Sequence, residues 1–198
     1  MRRARKLGVE VRSGRTAEAY RAFRDVYEPT MDRVDARRYC RFGDGFYESL
    51  RCDLPDEALV FWAEAEGAVM AASIMLACNG MMNYHLGGSV HEYAGGVAMN
   101  LLMYEAALWG CEHGCKTLYL GGGVGSGSDG VLRFKQTFCK GGTGRFHVGR
   151  RVFLGEEFRR LCSLAGDESR AGADGFFPAY RLPADECQHA RHGYQESR

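Results

Sequence analysis

A chain of 198 residues with a net charge of +1 and 45% hydrophobic residues is long enough to bury a core as one domain, with or without tails. The near-neutral charge excludes a global basic field for nucleic acid, so any such partner needs a local patch. The longest apolar run, Ala68 to Cys78, falls well short of the roughly 20 residues of a membrane-spanning helix. MRRARK at the start is followed by no apolar signal stretch, so the expectation is a cytoplasmic chain whose eight cysteines are reduced.

In chain order, residues 1–8 read as a basic leader, either a solvated tail or the remnant of a linker. Val9 to Val11 is a candidate edge strand. Thr16 to Tyr27 predicts a helix with Thr16 as N-cap and Ala19, Phe23 and Val26 on one face, and Pro29 is expected to end it. Arg33 to Leu50 reads as a second helical region broken near Gly43 and Gly45. Glu57 to Ala65 and Ala68 to Cys78 flank Glu66-Gly67, a hairpin signal, and Asn79-Gly80 is a stronger one before Met81. Met81 to Leu86 predicts a short strand, with Gly87-Gly88-Ser89 as the turn behind it. Three consecutive strands therefore run antiparallel.

Val97 to His113 predicts a helix free of proline, with apolar residues on more than one side and Gly114 as its C-terminal cap. Thr117 to Leu120 is a buried strand, so strand, crossover helix and strand form a βαβ unit. The glycine-rich stretch Gly121 to Gly130 follows. Beyond it, Gly141 to Gly144 reads as a turn, Arg145 to Leu154 as a strand, Glu156 to Leu164 as a short amphipathic helix, and residues 165–175 as loop. Gly175 to Tyr180 is an aromatic element expected to plug against the body. From Pro183 onward the polar sequence predicts a disordered tail. The expected organisation is a single domain over 9–182 and a tail over 183–198.

The glycine loop after a parallel strand occupies the usual ligand position of an open α/β sheet. Successive glycines bring backbone N–H groups close to an anion or a polarised carbonyl; the competing reading is a surface loop. It is neither a P-loop, lacking the Lys-Ser/Thr, nor a dinucleotide fingerprint, because Asp129 lies inside the loop rather than about 20 residues beyond it. Arg133-Phe134-Lys135 sets two cations around an aromatic ring, suited to phosphate, carboxylate or a nucleotide ring. Arg133 and Lys135 share a face on a strand and diverge on a helix. Tyr84 and His85 lie on the strand before the crossover and point to opposite faces. Asp129 is either an Asx turn with Gly130 or a group that orients an amine or a proton-relay water. Cys111, His113 and Cys115 lack a second ligand pair, so no metal is expected. Ser126 and Ser128 do not form a nucleophile elbow.

Together, YHLGGS at 84–89, NLLMYEAALWGCEHGCKTLYLGGG at 100–123 and DGVLRFKQTF at 129–138 resemble the FemABX branch of the GNAT acyltransferase superfamily. The lead-in FRDVYEPTMDRVDARRYCRFGDGFYESL and the ending GFFPAYR are similar too, so the resemblance covers roughly residues 20–181. It implies an α/β (α+β) fold: a mixed, mostly antiparallel central sheet with flanking helices and one βαβ crossover, splayed where two central strands part. It implies transfer of an acyl group to an amine. FemABX enzymes draw an aminoacyl group from aminoacyl-tRNA; other GNAT enzymes use acyl-CoA. The family's Phe-Lys, at the donor end of the site, corresponds to Phe134 and Lys135.

Two departures stand out. The chain has room for one GNAT-like half and no heptad arm, which weighs against tRNA. In place of the family's pyrophosphate loop it has His91 to Ala98, which weighs against a standard CoA site, although Gly95 and Gly96 at the helix start still present N–H groups to a phosphate. The resulting expectation assigns Lys135, Asp129 and His85 to catalysis. Arg133, Phe134, Gly121, Gly122, Gly123, Gly95 and Gly96 are assigned to the donor, and Tyr84 to the acceptor. Lys135 stabilises developing negative charge, and no tightly bound cofactor is expected. The leading expectation is an aminoacyl-tRNA-dependent aminoacyltransferase acting on a small-molecule or peptide amine. An acyl-CoA-dependent N-acyltransferase and a non-catalytic module that partners a second domain are the alternatives.

Overall fold

The computed structural model describes residues 1–90, 96–123, 129–139, 141, 144, 147, 149–165 and 177–181. Its contacts divide the chain after Gly141 into two compact units, where the sequence predicts one domain over 9–182. The expected tail over 183–198 lies outside the described residues.

The first unit is built on a five-stranded sheet in the order β1-β2-β3-β4-β5. These are β1 (Glu10–Gly14), β2 (Ala58–Ala65), β3 (Ala68–Cys78), β4 (Met81–Ser89) and β5 (Thr117–Tyr119). The first four pair antiparallel, and β5 pairs parallel with β4. Both hairpin turns use left-handed backbone, at Glu66-Gly67 and Asn79-Gly80, as two-residue turns between twisted strands require.

Helices cover both faces. On one side α4 (Val97–Glu112) is apolar around most of its circumference and packs Ala98, Leu101, Leu102 and Ala106 onto Leu59, Phe61, Met75 and Met82. On the other, α2 (Ala17–Arg33) and α3 (Asp44–Asp53) pack Tyr20, Phe23, Tyr27 and Tyr47 onto Val60, Ala72 and Ile74. The residues of β2 alternate between these two cores, which is why its sequence is a nearly unbroken apolar run.

Several expectations need correction. Residues 1–8 are not a solvated tail: α1 (Arg2–Lys6) buries Ala4 in the core beneath α4, and Arg5 bonds Glu105 at 2.7 Å. Pro29 lies inside α2 rather than after it. The helix continues because the buried Thr30 hydroxyl donates to the Val26 carbonyl at 2.7 Å, and because Tyr27 and Thr30 are held against the sheet. The region expected as one broken helix resolves into the end of α2, a 3₁₀ turn at Arg38–Cys40 and α3.

Gly87-Gly88-Ser89 is strand, not turn, paired with Ser73, Ala72 and Ala71. The glycines are there for close approach. A Cβ on Gly88 would stand 2.9 Å from the Tyr27 Cα and from the Thr30 hydroxyl, so α2 lies directly against β4. The strand also bulges. Ile74 pairs with Leu86 and Met75 with Tyr84, leaving His85 as the extra residue and turning Leu86 towards α2 while Tyr84 faces α4.

In the second unit, α6 (Gly155–Leu164), named after α5 (Gly130–Gln136) of the first, buries Cys162. Phe158 stacks on Phe177 at 6.0 Å and meets Tyr180 edge-on at 5.8 Å, so the aromatic element packs on this helix. The strand expected over 145–154 does not appear among its described residues: 149–154 form no strand, and Phe153 is 82% exposed.

Candidate active site

The parallel pairing of β4 with β5 is brief: Met81 with Thr117, Met82 with Leu118 and Asn83 with Tyr119. Beyond Asn83, β4 runs on to Ser89 with β3 as its only strand partner among the described residues, and beyond Tyr119 the chain leaves the sheet through Gly121. The two strands therefore part at Tyr84 and Leu120.

Lys135 stands at that parting. It lies in α5, and its Nζ donates to the Gly122 carbonyl at 2.7 Å while sitting 5.5 Å from the centre of the Tyr84 ring. One ammonium thus touches the strand on one side and the glycine loop on the other. Burial lowers the Lys135 pKa, and the Asp129 charge works in the opposite direction. Asp129 caps α5, its Oδ1 accepting from the Leu132 N–H at 2.7 Å. A Cβ on Gly123 would fall 2.6 Å from both Asp129 carboxylate oxygens, so a larger residue there would displace the carboxylate.

Tyr84 is a desolvated phenol with its pKa pushed up to about 12, hence a neutral proton donor at ordinary pH. Its hydroxyl folds over Gly87, where a Cβ would meet it at 1.9 Å. Ser73 pairs with Gly87 across the ladder and is fully buried, and its hydroxyl has no hydrogen-bond partner among the described residues. Neither Gly87 nor Ser73 stood out in the sequence, since a glycine doublet ahead of a loop reads as a turn.

The structure brings Tyr84, Gly121, Gly122, Gly123, Asp129 and Lys135 together, all within the first unit. It separates others. Residues two apart on α5 diverge, so Arg133 is exposed away from Lys135. Phe134 packs into the core beside Phe138, at 5.2 Å between ring centres. His85 points to the opposite face, 6.4 Å from the Phe46 ring, where desolvation lowers its pKa. Gly96 begins α4 in the left-handed region, and Gly95 lies outside the described residues. His113 stacks on Trp109 at 3.8 Å. Among the described residues no cluster of His, Cys, Asp and Glu is placed to hold a metal, and no helix is long and apolar enough to cross a membrane.

A family model described as acetyltransferase (GNAT) domain matches residues 1–136. Among curated proteins no sequence matches the chain. Among solved structures, a ribosomal-protein-alanine N-acetyltransferase from Brucella melitensis biovar Abortus 2308 is similar at a TM-score of 0.55 and 14% identity, over 73% of this chain and 99% of that one. AAC(6')-Iy, in complex with the bisubstrate analogue CoA-S-monomethyl-acetylneamine, is similar at 0.54 and 13%, over 73% of this chain and 98% of that one. FemX is similar at 0.56 and 14%, over 69% of this chain and 50% of its own. At such identities the likeness is one of fold.

Proposed function

The chain belongs to the GNAT acetyltransferase family and is an acyltransferase, and from that premise we propose that it transfers an acyl group from acyl-CoA to the nitrogen of a small amine. The observation that carries the reading is Lys135 spanning the place where β4 and β5 part. The structural likeness adds weight, because it runs over nearly the whole of two acetyltransferases and over half of FemX.

In this reading the thioester lies between Tyr84 and the Gly121–Gly123 backbone. The free amine attacks the carbonyl carbon, forming a C–N bond and placing negative charge on the carbonyl oxygen. Lys135, with two N–H donors left after Gly122, stabilises that oxyanion. Collapse re-forms the carbonyl, breaks the C–S bond and expels the thiolate. The proton lost by the nitrogen balances the one gained by sulfur, and Tyr84, held as a neutral phenol, is the donor placed to deliver it. Asp129 is a positioning residue: it starts α5 and offsets the desolvation of Lys135. His85 belongs to the acceptor side, where desolvation lowers its pKa and keeps the imidazole neutral. Arg133, exposed, is available for a phosphate of the donor.

A second reading, aminoacyl transfer from aminoacyl-tRNA, is favoured by the Arg133-Phe134-Lys135 segment and by the likeness to FemX. A donor titration separates the two. The purified protein is heated with acetyl-CoA and, separately, with charged tRNA, each with and without RNase. A donor at about a hundred times its Kd adds roughly 2.7 kcal/mol of stability. The acyl-CoA reading expects a shift with acetyl-CoA that survives RNase. A shift with charged tRNA alone, abolished by RNase, overturns it.

A further inference from the structure

One buried hydroxyl beside Tyr84 is not used by the packing. Ser73 lies in the middle of β3, whose ladders to β2 and β4 run along both of its edges. Its side chain shares the α4 face with those of Ala71 and Met75, opposite Phe61 on β2 and Gly87 on β4. Ser73 is completely buried, and its hydroxyl has no hydrogen-bond partner among the described residues. Such a group is desolvated without compensation. Alanine would serve the packing as well, and it fills the neighbouring positions Ala63, Ala71 and Ala72.

What faces this hydroxyl is Tyr84. The bulge at His85 turns Tyr84 onto the same face as Gly87; on a regular strand, residues three apart point to opposite faces. The Tyr84 hydroxyl then takes up the space of the side chain that Gly87 lacks, 1.9 Å from where a Cβ would stand. That space is directly across from Ser73, and opposed Cβ atoms of an antiparallel pair lie about 4.5–5.5 Å apart. Bulge and glycine together set the Tyr84 oxygen in front of the Ser73 side chain. The two hydroxyls are not bonded to each other while Tyr84 is the neutral phenol. Rotation about the Ser73 Cα–Cβ bond carries its oxygen between staggered positions.

The need for this hydroxyl arises during the reaction. As the C–S bond breaks, Tyr84 gives its proton to sulfur and is left as a phenolate in the same desolvated place. The proton released by the amine nitrogen then restores it. Lys135 is committed to the Gly122 carbonyl and to the oxyanion, and a buried anion requires a hydrogen-bond donor. We propose that Ser73 is a positioning residue of the transfer: its hydroxyl swings onto the Tyr84 oxygen and donates to it as the phenolate forms. Ser73 keeps its own proton throughout. The role rests on the reading of Tyr84 as the proton donor.

The test is a double-mutant cycle on the full chain: Ser73→Ala, Tyr84→Phe and both together. The rate is read as thiol released from acetyl-CoA in the presence of a mixture of primary amines. Ser73→Ala deletes an uncompensated hydroxyl, so the melting temperature is expected to hold or rise. Its kcat/KM is expected to fall about ten- to a hundredfold, the worth of one hydrogen bond to a charged group. Beside Tyr84→Phe the same substitution is expected to change the rate less than about twofold, because it acts through Tyr84. A second measurement needs no donor. In chain made with 3-fluorotyrosine, whose phenol ionises at lower pH than that of tyrosine, the fluorine resonance missing from Tyr84→Phe belongs to Tyr84. Its ionisation is expected about one to two pH units higher in Ser73→Ala, where the phenolate has lost its donor. An unmoved Tyr84 titration overturns the proposal, and so does a Ser73→Ala loss of the same size with and without Tyr84. No thiol release from acetyl-CoA together with a moved titration sustains the Ser73–Tyr84 pairing and removes the donor assignment. Thiol release with an unmoved titration does the reverse.

Discussion

The two faces of the sheet are built from different materials. Beneath α4 the core is methionine, leucine and alanine, with Met75, Met82, Met99 and Met103 buried among small side chains. Beneath α2 and α3 it is aromatic, with Phe23 stacked on Tyr27 at 5.0 Å and Tyr47 tilted against Phe23 at 6.0 Å. Methionine has three rotatable bonds and fills irregular space; aromatic rings interlock in fixed relative orientations. The face that flanks the parting strands is therefore the adaptable one, and the face that carries His85 is the rigid one.

That contrast can be broken by substitution. The largest effect is expected at Phe23, which is completely buried. Phe23→Ala should cost about 3–5 kcal/mol, while the volume-conserving Met103→Leu on the other face should cost less than about 1.5 kcal/mol, both read by denaturant unfolding. Equal losses would erase the distinction between the faces. Gly88→Ala comes next. Its Cβ meets backbone, the Tyr27 Cα at 2.9 Å and the Val26 carbonyl at 3.1 Å, so relief requires α2 to move and the expected loss is about 1–3 kcal/mol. A melting temperature unchanged by Gly88→Ala would mean that α2 does not press on β4.

The smallest effects are expected at Asp129. Asp129→Ala removes the cap of α5 and should cost about 1 kcal/mol. Asp129→Asn keeps capping but removes the charge that raises the Lys135 pKa. Lys135 is already below its ordinary value, so its cationic form disappears as pH rises through that lowered pKa. Without the Asp129 charge this happens at still lower pH. The alkaline limb of the pH–rate profile should therefore move down in Asp129→Asn with little change in stability. A limb that stays in place would show that Lys135 is not the group it reports.

What the sequence discloses follows the range of the interactions. The hairpins at Glu66-Gly67 and Asn79-Gly80, the strands β2 and β3, and the helix α4 rest on turn chemistry and hydrophobic pattern, which are local, and the structure places them within a few residues of expectation. Gly121–Gly123, Asp129 and Lys135 were recognisable as candidates because they lie close together in the chain. Tyr84 joins them only through the crossover, and nothing near it in sequence announces Lys135. The bulge at His85 depends on a register between β3 and β4 that no single strand encodes. Gly87 and Gly88 look like a turn unless the closeness of Tyr84 and α2 is known. Pro29 looks like a stop until Thr30 and the packing of Tyr27 are seen to hold the next turn.

The most direct measurement is the rate of acyl transfer in Lys135→Ala beside that of the unmodified chain, with acetyl-CoA as donor and thermal stability measured on both. If Lys135 stabilises the charge that develops where the strands part, kcat/KM should fall on the order of 10²–10³-fold while the fold is retained. Near-unmodified turnover in a folded Lys135→Ala protein would contradict the account at its centre.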